Sequence, residues 1–406
     1  MLPKFSKRTQ WDLQESAYSA ALQLAKLRGA LLDLTASNPT TCGLIADAQH
    51  WRETLLAADS SIYDPNPRGM CSARVSVAKY YWEQTKTTLD PDNIFLTTST
   101  SEAYSFLFRL LCDAGDEILI AQPSYPLFEF LADLDDVQLI PYPLFYDHGW
   151  HLDLAAMEAR ITPRTRAIIL VHPNNPTGHF TSVQQRSQIE GLAKCHGLAL
   201  IVDEVFLDYA VDASREIANS ASFVSGEHPV LTFVLSGISK ICALPQMKVA
   251  WISVRGTQEI VTAATERLEV IADTFLSMNT PIQHALPAML EARHEIQKQI
   301  TGRVRTNLAE LDRQLHQQGL LSRLLVEAGW YVVVRIPALG CTNAAAIRLL
   351  EAENVLVHPG DFYGFAGEGW LIVSLLTPTD EFDDGIMRLI RFFHSEIESQ
   401  RTQPVR

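Results

Sequence analysis

Cysteine is sparse and unpatterned in this chain. Six residues (Cys42, Cys71, Cys112, Cys195, Cys242, Cys341) are scattered over 406 positions with no Cys-x-x-Cys pair. That spacing argues against a zinc site or a disulfide framework and for reduced thiols in a cytoplasmic protein. Basic charge is also short: 33 Lys and Arg face 47 Asp and Glu, a formal net charge of −14. Such a balance disfavours nucleic acid and anionic membrane as partners. No apolar run approaches a membrane span, and the opening MLPKFSKRTQ lacks the apolar stretch of a secretory signal. Short-period repeats and low-complexity segments are missing too. What is present is an ordinary globular composition, 47% apolar and 20% charged, in a chain long enough for two domains.

Short apolar runs alternate with helical stretches through the middle of the chain. The runs 93–97, 117–121, 137–142, 167–171, 198–202, 230–235 and 248–254 read as strands, with helices between most of them. Fully apolar strands separated by helices predict an α/β domain with a mainly parallel, seven-stranded sheet covered on both faces. A helical stretch over about 257–318, interrupted near Asn279-Thr280-Pro281, leads to a smaller α+β domain. That domain has strands at 329–336, 355–358 and 370–375 and helices at 343–353 and 379–399. The expected division is an N-terminal arm shared with the small domain (1–45), a large domain (46–285) and a small domain (286–406). A helix is expected over 44–58, and Tyr63–Gly69 reads as a loop from its Pro and Gly content.

In parallel sheets ligands bind beyond the carboxyl ends of the strands, and five chemistry-bearing stretches lie there. Thr97-Thr98-Ser99-Thr100-Ser101-Glu102 joins a strand to a helix, where hydroxyls and free N–H groups suit a phosphate or a simple N-cap. Pro123-Ser124-Tyr125-Pro126 offers a ring that can stack on a flat heterocycle or sit on the surface. Asn174-Asn175-Pro176-Thr177-Gly178 offers an amide, and is also good turn chemistry. Asp203-Glu204 offers a carboxylate that can keep a pyridine nitrogen protonated, or cap a helix. Ser236-Gly237-Ile238-Ser239-Lys240 places a lysine at a strand end among apolar neighbours, and Lys248 follows eight positions later. A lysine in such surroundings can lose its proton and attack a carbonyl, and the second cation can hold a phosphate. Each stretch is weak alone; their joint order and spacing decide.

In that order the chain resembles the fold-type I pyridoxal phosphate enzymes of the class I/II aminotransferase family, over nearly its whole length. The resemblance rests on Tyr63–Gly69, Ser99–Ala103, Pro123–Tyr125, NNPTG, Asp203-Glu204, the Ser239-Lys240 motif and Pro359-Gly360. It implies that Lys240 holds pyridoxal 5′-phosphate as a Schiff base and acts as general acid/base. Asp203 then pairs with the pyridinium, Asn175 bonds the ring oxygen, Tyr125 stacks on the ring and Phe206 lies beside it. Ser99, Thr100, Ser101, Ser239 and Lys248 hold the phosphate. Tyr63 reaches the neighbouring subunit's phosphate, which implies a homodimer with shared sites. The activity implied is transfer of an amino group from an amino acid or amine to a 2-keto acid such as pyruvate or 2-oxoglutarate. A lyase or cyclising synthase uses the same machinery, and a non-catalytic regulatory protein is a further alternative.

Three positions depart from the family pattern. Lys248 stands where the family usually has Arg and supplies charge without a bidentate fork. Phe206 replaces a Tyr that bonds the ring oxygen, with Tyr209 as a possible substitute. Ile372 stands where the family carries the Arg that grips the substrate carboxylate. Arg335, on one strand face with Tyr331 and Val333, is the candidate replacement, with Ser37 and Asn175 as further substrate residues.

Overall fold

The computed structural model describes residues 4–46, 49–57, 61, 63, 65–211, 222–276, 278–338 and 340–402. Residues 47, 48 and 58 of the helix expected over 44–58, and Asp64 in the Tyr63–Gly69 loop, lie outside these; the helix itself runs Gln49–Ala57. In chain order the strands are β1 (Leu32–Asp33), β2 (Ile94–Thr97), β3 (Glu117–Gln122), β4 (Gln138–Tyr146), β5 (Trp150–Leu152), β6 (Thr165–Val171) and β7 (Ala199–Asp203). There follow β8 (Thr232–Gly237), β9 (Ala250–Arg255), β10 (Ser322–Arg323), β11 (Tyr331–Arg335), β12 (Val355–Leu356), β13 (His358–Pro359) and β14 (Trp370–Ser374).

The large sheet has the order β2-β9-β8-β7-β6-β3-β4-β5. Its centre, β8-β7-β6-β3-β4, is parallel throughout, while β9 runs antiparallel between β8 and β2. It therefore carries one strand more than the seven expected, the short β5, which closes an antiparallel hairpin on β4. Alternate side chains of β6 enter different cores. Ile168 and Leu170 join one cluster, and Ala167, Ile169 and Val171 join the other. Both faces are thus covered, which is why the central strands are apolar without interruption. Local chemistry sets the connecting helices. Helix Val183–His196 starts in a capping box of Ser182 with Gln185 and stops at Gly197, whose φ of 67° places it in the left-handed region.

The helical stretch expected over 257–318 resolves into Gln258–Phe275, Thr280–Glu291 and Arg293–His316. Asn279 caps the middle one by accepting from the Ile282 N–H at 3.1 Å. A second, antiparallel sheet has the order β10-β11-β14-β13. The N-terminal part of the chain joins it: β1 pairs with β12 in parallel, and the Tyr18 hydroxyl donates to Val357 O at 2.7 Å. One apolar cluster unites residues from Tyr18 to Leu44 with residues from Ile296 to Phe393, and takes in Phe206, Tyr209 and Ala243 from the large-sheet side. Those last contacts bring the two sheets together beside the ends of β7 and β8.

Candidate active site

β2, β3, β6, β7 and β8 run parallel and end at one edge of the large sheet, where the antiparallel β9 begins. A cavity of about 260 Å³ opens there, lined among others by Ser99, Tyr125, Asn175, Asp203, Ser239 and Lys240. Lys240 reaches it because the chain turns at once from β8 into the short helix Ile238–Ile241. Gly237 permits that turn. A Cβ on it would lie 2.9 Å from Val249 O and 3.0 Å from the Ala250 side chain, inside contact distance of the neighbouring β9.

Asp203 ends β7 and Lys240 follows the adjoining β8, so a carboxylate and an amine face the same space. Asp203 is buried; its Oδ2 accepts from the Tyr104 hydroxyl at 3.2 Å and its Oδ1 from the Val205 N–H at 3.1 Å. Burial pushes its carboxyl up to about 6, against the pull of these two hydrogen bonds and of Lys240. Burial also draws the Lys240 ammonium down to about 8, which Asp203 partly opposes. The lysine Nζ lies 4.7 Å from the centroid of the Trp330 ring and 5.4 Å from that of Phe206, within reach of cation–π attraction. Tyr209 does not face the cavity with its hydroxyl, which donates to the Lys240 carbonyl at 2.6 Å. It fixes the lysine's backbone and leaves the position beside Asp203 to the phenyl ring of Phe206.

Helix Thr100–Leu111 points its N-terminus at the cavity. Ser99 Oγ accepts from the Glu102 N–H at 3.1 Å, and Glu102 Oε2 accepts from the Thr98 N–H at 2.7 Å. This reciprocal cap leaves the N–H groups of Thr100 and Ser101 as helix-start donors without an intrahelical acceptor. The hydroxyl residues Ser99, Thr100, Ser101 and Ser239 all line the cavity, whereas Lys248 is exposed, with a φ of 54°, and is not among the lining residues.

Asn175 and Tyr125 both line the cavity. Asn175 is buried, and its Oδ1 has no hydrogen-bond partner among the described residues. The small-sheet side contributes Ser37 and Tyr331. Arg335 does not reach: it ends β11, is exposed, and stacks 5.4 Å from the Trp370 ring. It stands four positions along the strand from Tyr331, roughly 13 Å at the usual rise. Ile372 is buried in the small-sheet core, opposite Val333. Tyr63 is 73% exposed, in a loop outside the cavity lining.

Tyr104, Trp330 and Tyr331 escaped the sequence reading. Tyr104 had a local signal, since it stands four residues after Thr100 on the predicted helix and shares its face. Trp330 and Tyr331 reach the lysine and the cavity only through the packing of one sheet on the other.

The profile of the family described as "Aminotransferase class I and II" matches residues 30–389. Among curated relatives, an alanine aminotransferase of Mycobacterium tuberculosis is 28% identical over 288 residues, 71% of this chain and 66% of that enzyme's length. The chain thus aligns with just under two thirds of that relative. Glutamate-pyruvate aminotransferase AlaA of Escherichia coli is 26% identical over 291 residues, 72% of this chain and 71% of the relative. Among solved structures, alanine aminotransferase from Pyrococcus furiosus superposes with a TM-score of 0.86 at 22% identity, covering 97% of this chain and all (100%) of the other. An aminotransferase from Escherichia coli gives 0.85 at 22% identity, covering 97% and 99%.

Proposed function

The chain belongs to the aminotransferase class I and II family, and we propose that it is a pyridoxal 5′-phosphate-dependent aminotransferase moving an amino group from an amino acid or amine to a 2-keto acid. One observation carries the reading: the Lys240 amine and the buried Asp203 carboxylate face one cavity from adjoining strand ends, beside a hydroxyl-rich helix start.

The residues present fit the cofactor. Asn175 lines the cavity and its amide N–H can donate to the ring oxygen, and the helix-start N–H groups of Thr100 and Ser101 suit a phosphate. Asp203 would pair with the ring nitrogen, Tyr125 would cover the ring, and Phe206 would pack beside it. Ser99, Thr100, Ser101 and Ser239 would hold the phosphate directly, with Lys248 adding charge from outside. When bound, the cofactor supplies an aldehyde that condenses with amines and a ring that withdraws electrons from the substrate carbon.

The chain's own groups do the rest. Lys240, with its ammonium drawn down to about 8, gives up and takes back a proton at Nζ near neutral pH, as a general acid/base requires. Asp203, fixed by Tyr104 and Val205, presents a carboxylate that holds a proton on a neighbouring ring nitrogen. Phe128, Leu127 and Tyr125 give the cavity an apolar wall. Ser37 and Asn175, which line the cavity, are the substrate residues to test, with Arg335, outside the lining, as the control. The names of the relatives make alanine, glutamate and pyruvate the first donors and acceptor to try.

We take 1–45, 46–285 and 286–406 as the working domain division. We also assign a homodimer in which the exposed Tyr63 serves the neighbouring site, in a reducing cytoplasm that suits six free cysteines. No helix among the described residues is long and apolar enough to cross a membrane. Purified enzyme loaded with cofactor is mixed with amino donors and its visible spectrum followed. Conversion to the amine form of the cofactor is expected. Ammonia release without that conversion identifies a lyase instead, and an unchanged spectrum with every donor defeats the catalytic reading.

A further inference from the structure

Ser37 and Tyr331 form a braced hydroxyl pair on the small-sheet side of the cavity. Both side chains line that cavity. Tyr331, the first residue of β11, is opposite Ser374 of β14 in the strand register. Ser374 in turn fixes the segment that carries Ser37: its N–H donates to Leu34 O at 2.7 Å and its hydroxyl donates to Ala36 O. One residue of β14 thus holds both members of the pair in place. Two residues earlier, Ile372 is buried in the core and paired with Val333 and His358. Among the described lining residues the cationic side chain is Lys240, which the transfer itself occupies.

We propose that the Ser37–Tyr331 pair binds the substrate group next to the transferred nitrogen, and that it accepts uncharged groups, a carboxamide or a hydroxymethyl, as readily as a carboxylate. The proposal rests on the aminotransferase reading and names its substrate class: amines and derivatised amino acids whose apolar body packs on Leu127, Phe128 and Leu131. The reason lies in the hydroxyl group. It both donates and accepts, so it can meet a carbonyl, a carboxylate, an amide N–H or an alcohol, whereas a guanidinium only donates. Burial pushes the Tyr331 phenol up to about 12, so it stays a neutral hydroxyl across the working range. Neutral hydrogen bonds change binding by roughly 2–10-fold, against about 10–150-fold for those to a charged partner. A neutral clamp therefore discriminates weakly between charged and uncharged ends.

For every such donor the reaction balances. The C–NH₂ carbon becomes C=O, and the nitrogen and two electrons pass to the cofactor's aldehyde carbon. One water is released on condensation and one consumed on hydrolysis.

The test uses cofactor-loaded enzyme and alanine, leucine and phenylalanine, each as free acid, amide and amino alcohol, with single-turnover conversion read from the spectrum. Within each set the three forms are expected to agree to within about tenfold. Tyr331→Phe and, independently, Ser37→Ala should slow all three forms alike by roughly 2–10-fold, while Arg335→Ala leaves them unchanged. Calorimetry should find 3-phenylpropionate and 3-phenylpropionamide binding within about threefold of each other, with little response to salt. Conversion of free acids about a hundredfold faster than amides and alcohols, or a selective loss of acids in Arg335→Ala, overturns the inference but leaves the aminotransferase reading intact. Failure of every donor overturns both.

Discussion

On its large-sheet side the cavity is built from strand ends whose polar groups are buried or half-buried and tied to fixed partners: Asp203 to Tyr104 and Val205, the Lys240 carbonyl to Tyr209, Ser99 to Glu102. On its small-sheet side the polar groups are neutral hydroxyls braced by Ser374, and the strand cation, Arg335, lies outside the lining at the far end of β11. The first side perturbs ionisation strongly, which reaction chemistry needs. The second offers orientation without charge. The difference teaches that the chemistry is specified independently of the substrate. Changes on the first side should abolish reaction with every donor, and changes on the second should alter preference and rate modestly.

The largest expected effect is at Lys240. Lys240→Ala should remove borohydride-fixable cofactor and lower turnover by at least about 10³-fold for all donors. Persistent fixation at another lysine would refute the assignment. Asp203→Asn comes next, with a loss on the order of 10²-fold in turnover and weaker retention of cofactor on dialysis. A loss confined to one donor class would dissolve the division between the two sides.

Stability of the cofactor-free protein should carry the same signature. Asp203 has its carboxyl raised from 3.8 to about 6, so the folded protein binds that proton more tightly than the unfolded chain. Its contribution is present below about pH 4 and is lost as pH rises through about 6, on the order of 3 kcal/mol. Lys240 has its ammonium lowered from 10.5 to about 8, so its contribution is present above about pH 10.5 and is lost as pH falls through about 8, again on the order of 3 kcal/mol. Melting curves against pH should show both trends. Asp203→Asn should flatten the acid one and Lys240→Met the alkaline one; unchanged curves in the variants would show that these groups are not the buried charges described. Tyr104→Phe is smaller: about 1 kcal/mol of stability, with the acid transition moved upward because a hydrogen bond that favours the carboxylate is gone. Lys248→Ala is smallest. As an exposed charge outside the cavity lining it should change cofactor affinity by about 2–5-fold, and less in high salt.

The strand ends were legible because apolar runs bounded by Gly, Pro and Asn mark them directly, and because the sheet rule gathers them at one edge. Element positions in the small sheet were legible for the same reason, from Tyr331–Arg335 to Thr379–Thr402. Depth was not. Alternation put Tyr331 and Arg335 on one face, but period two says nothing about which end of the strand meets the cavity. β4 extends to Tyr146, past the Tyr142 limit read from the sequence, because Pro143 lies near the sheet edge where a missing N–H is tolerated. β5, three residues long, is too short to show a period at all. Trp330 over Lys240 depends on two sheets meeting, which no window of sequence contains.

The pairing of β1 with β12 bears on how the chain is made. Leu32 donates to Asn354 O at 3.0 Å, and Leu34 donates to Leu356 O at 3.0 Å. During synthesis, Leu32–Leu34 emerges long before its partner strand exists. At about 5–20 residues per second, the wait is on the order of tens of seconds. Meanwhile all eight strands of the large sheet, ending with Arg255, have been delivered. The lysine-bearing layer can therefore assemble on the ribosome while the segment that carries Ser37 stays unpaired, and the substrate side of the cavity is completed only as the C-terminal strands emerge.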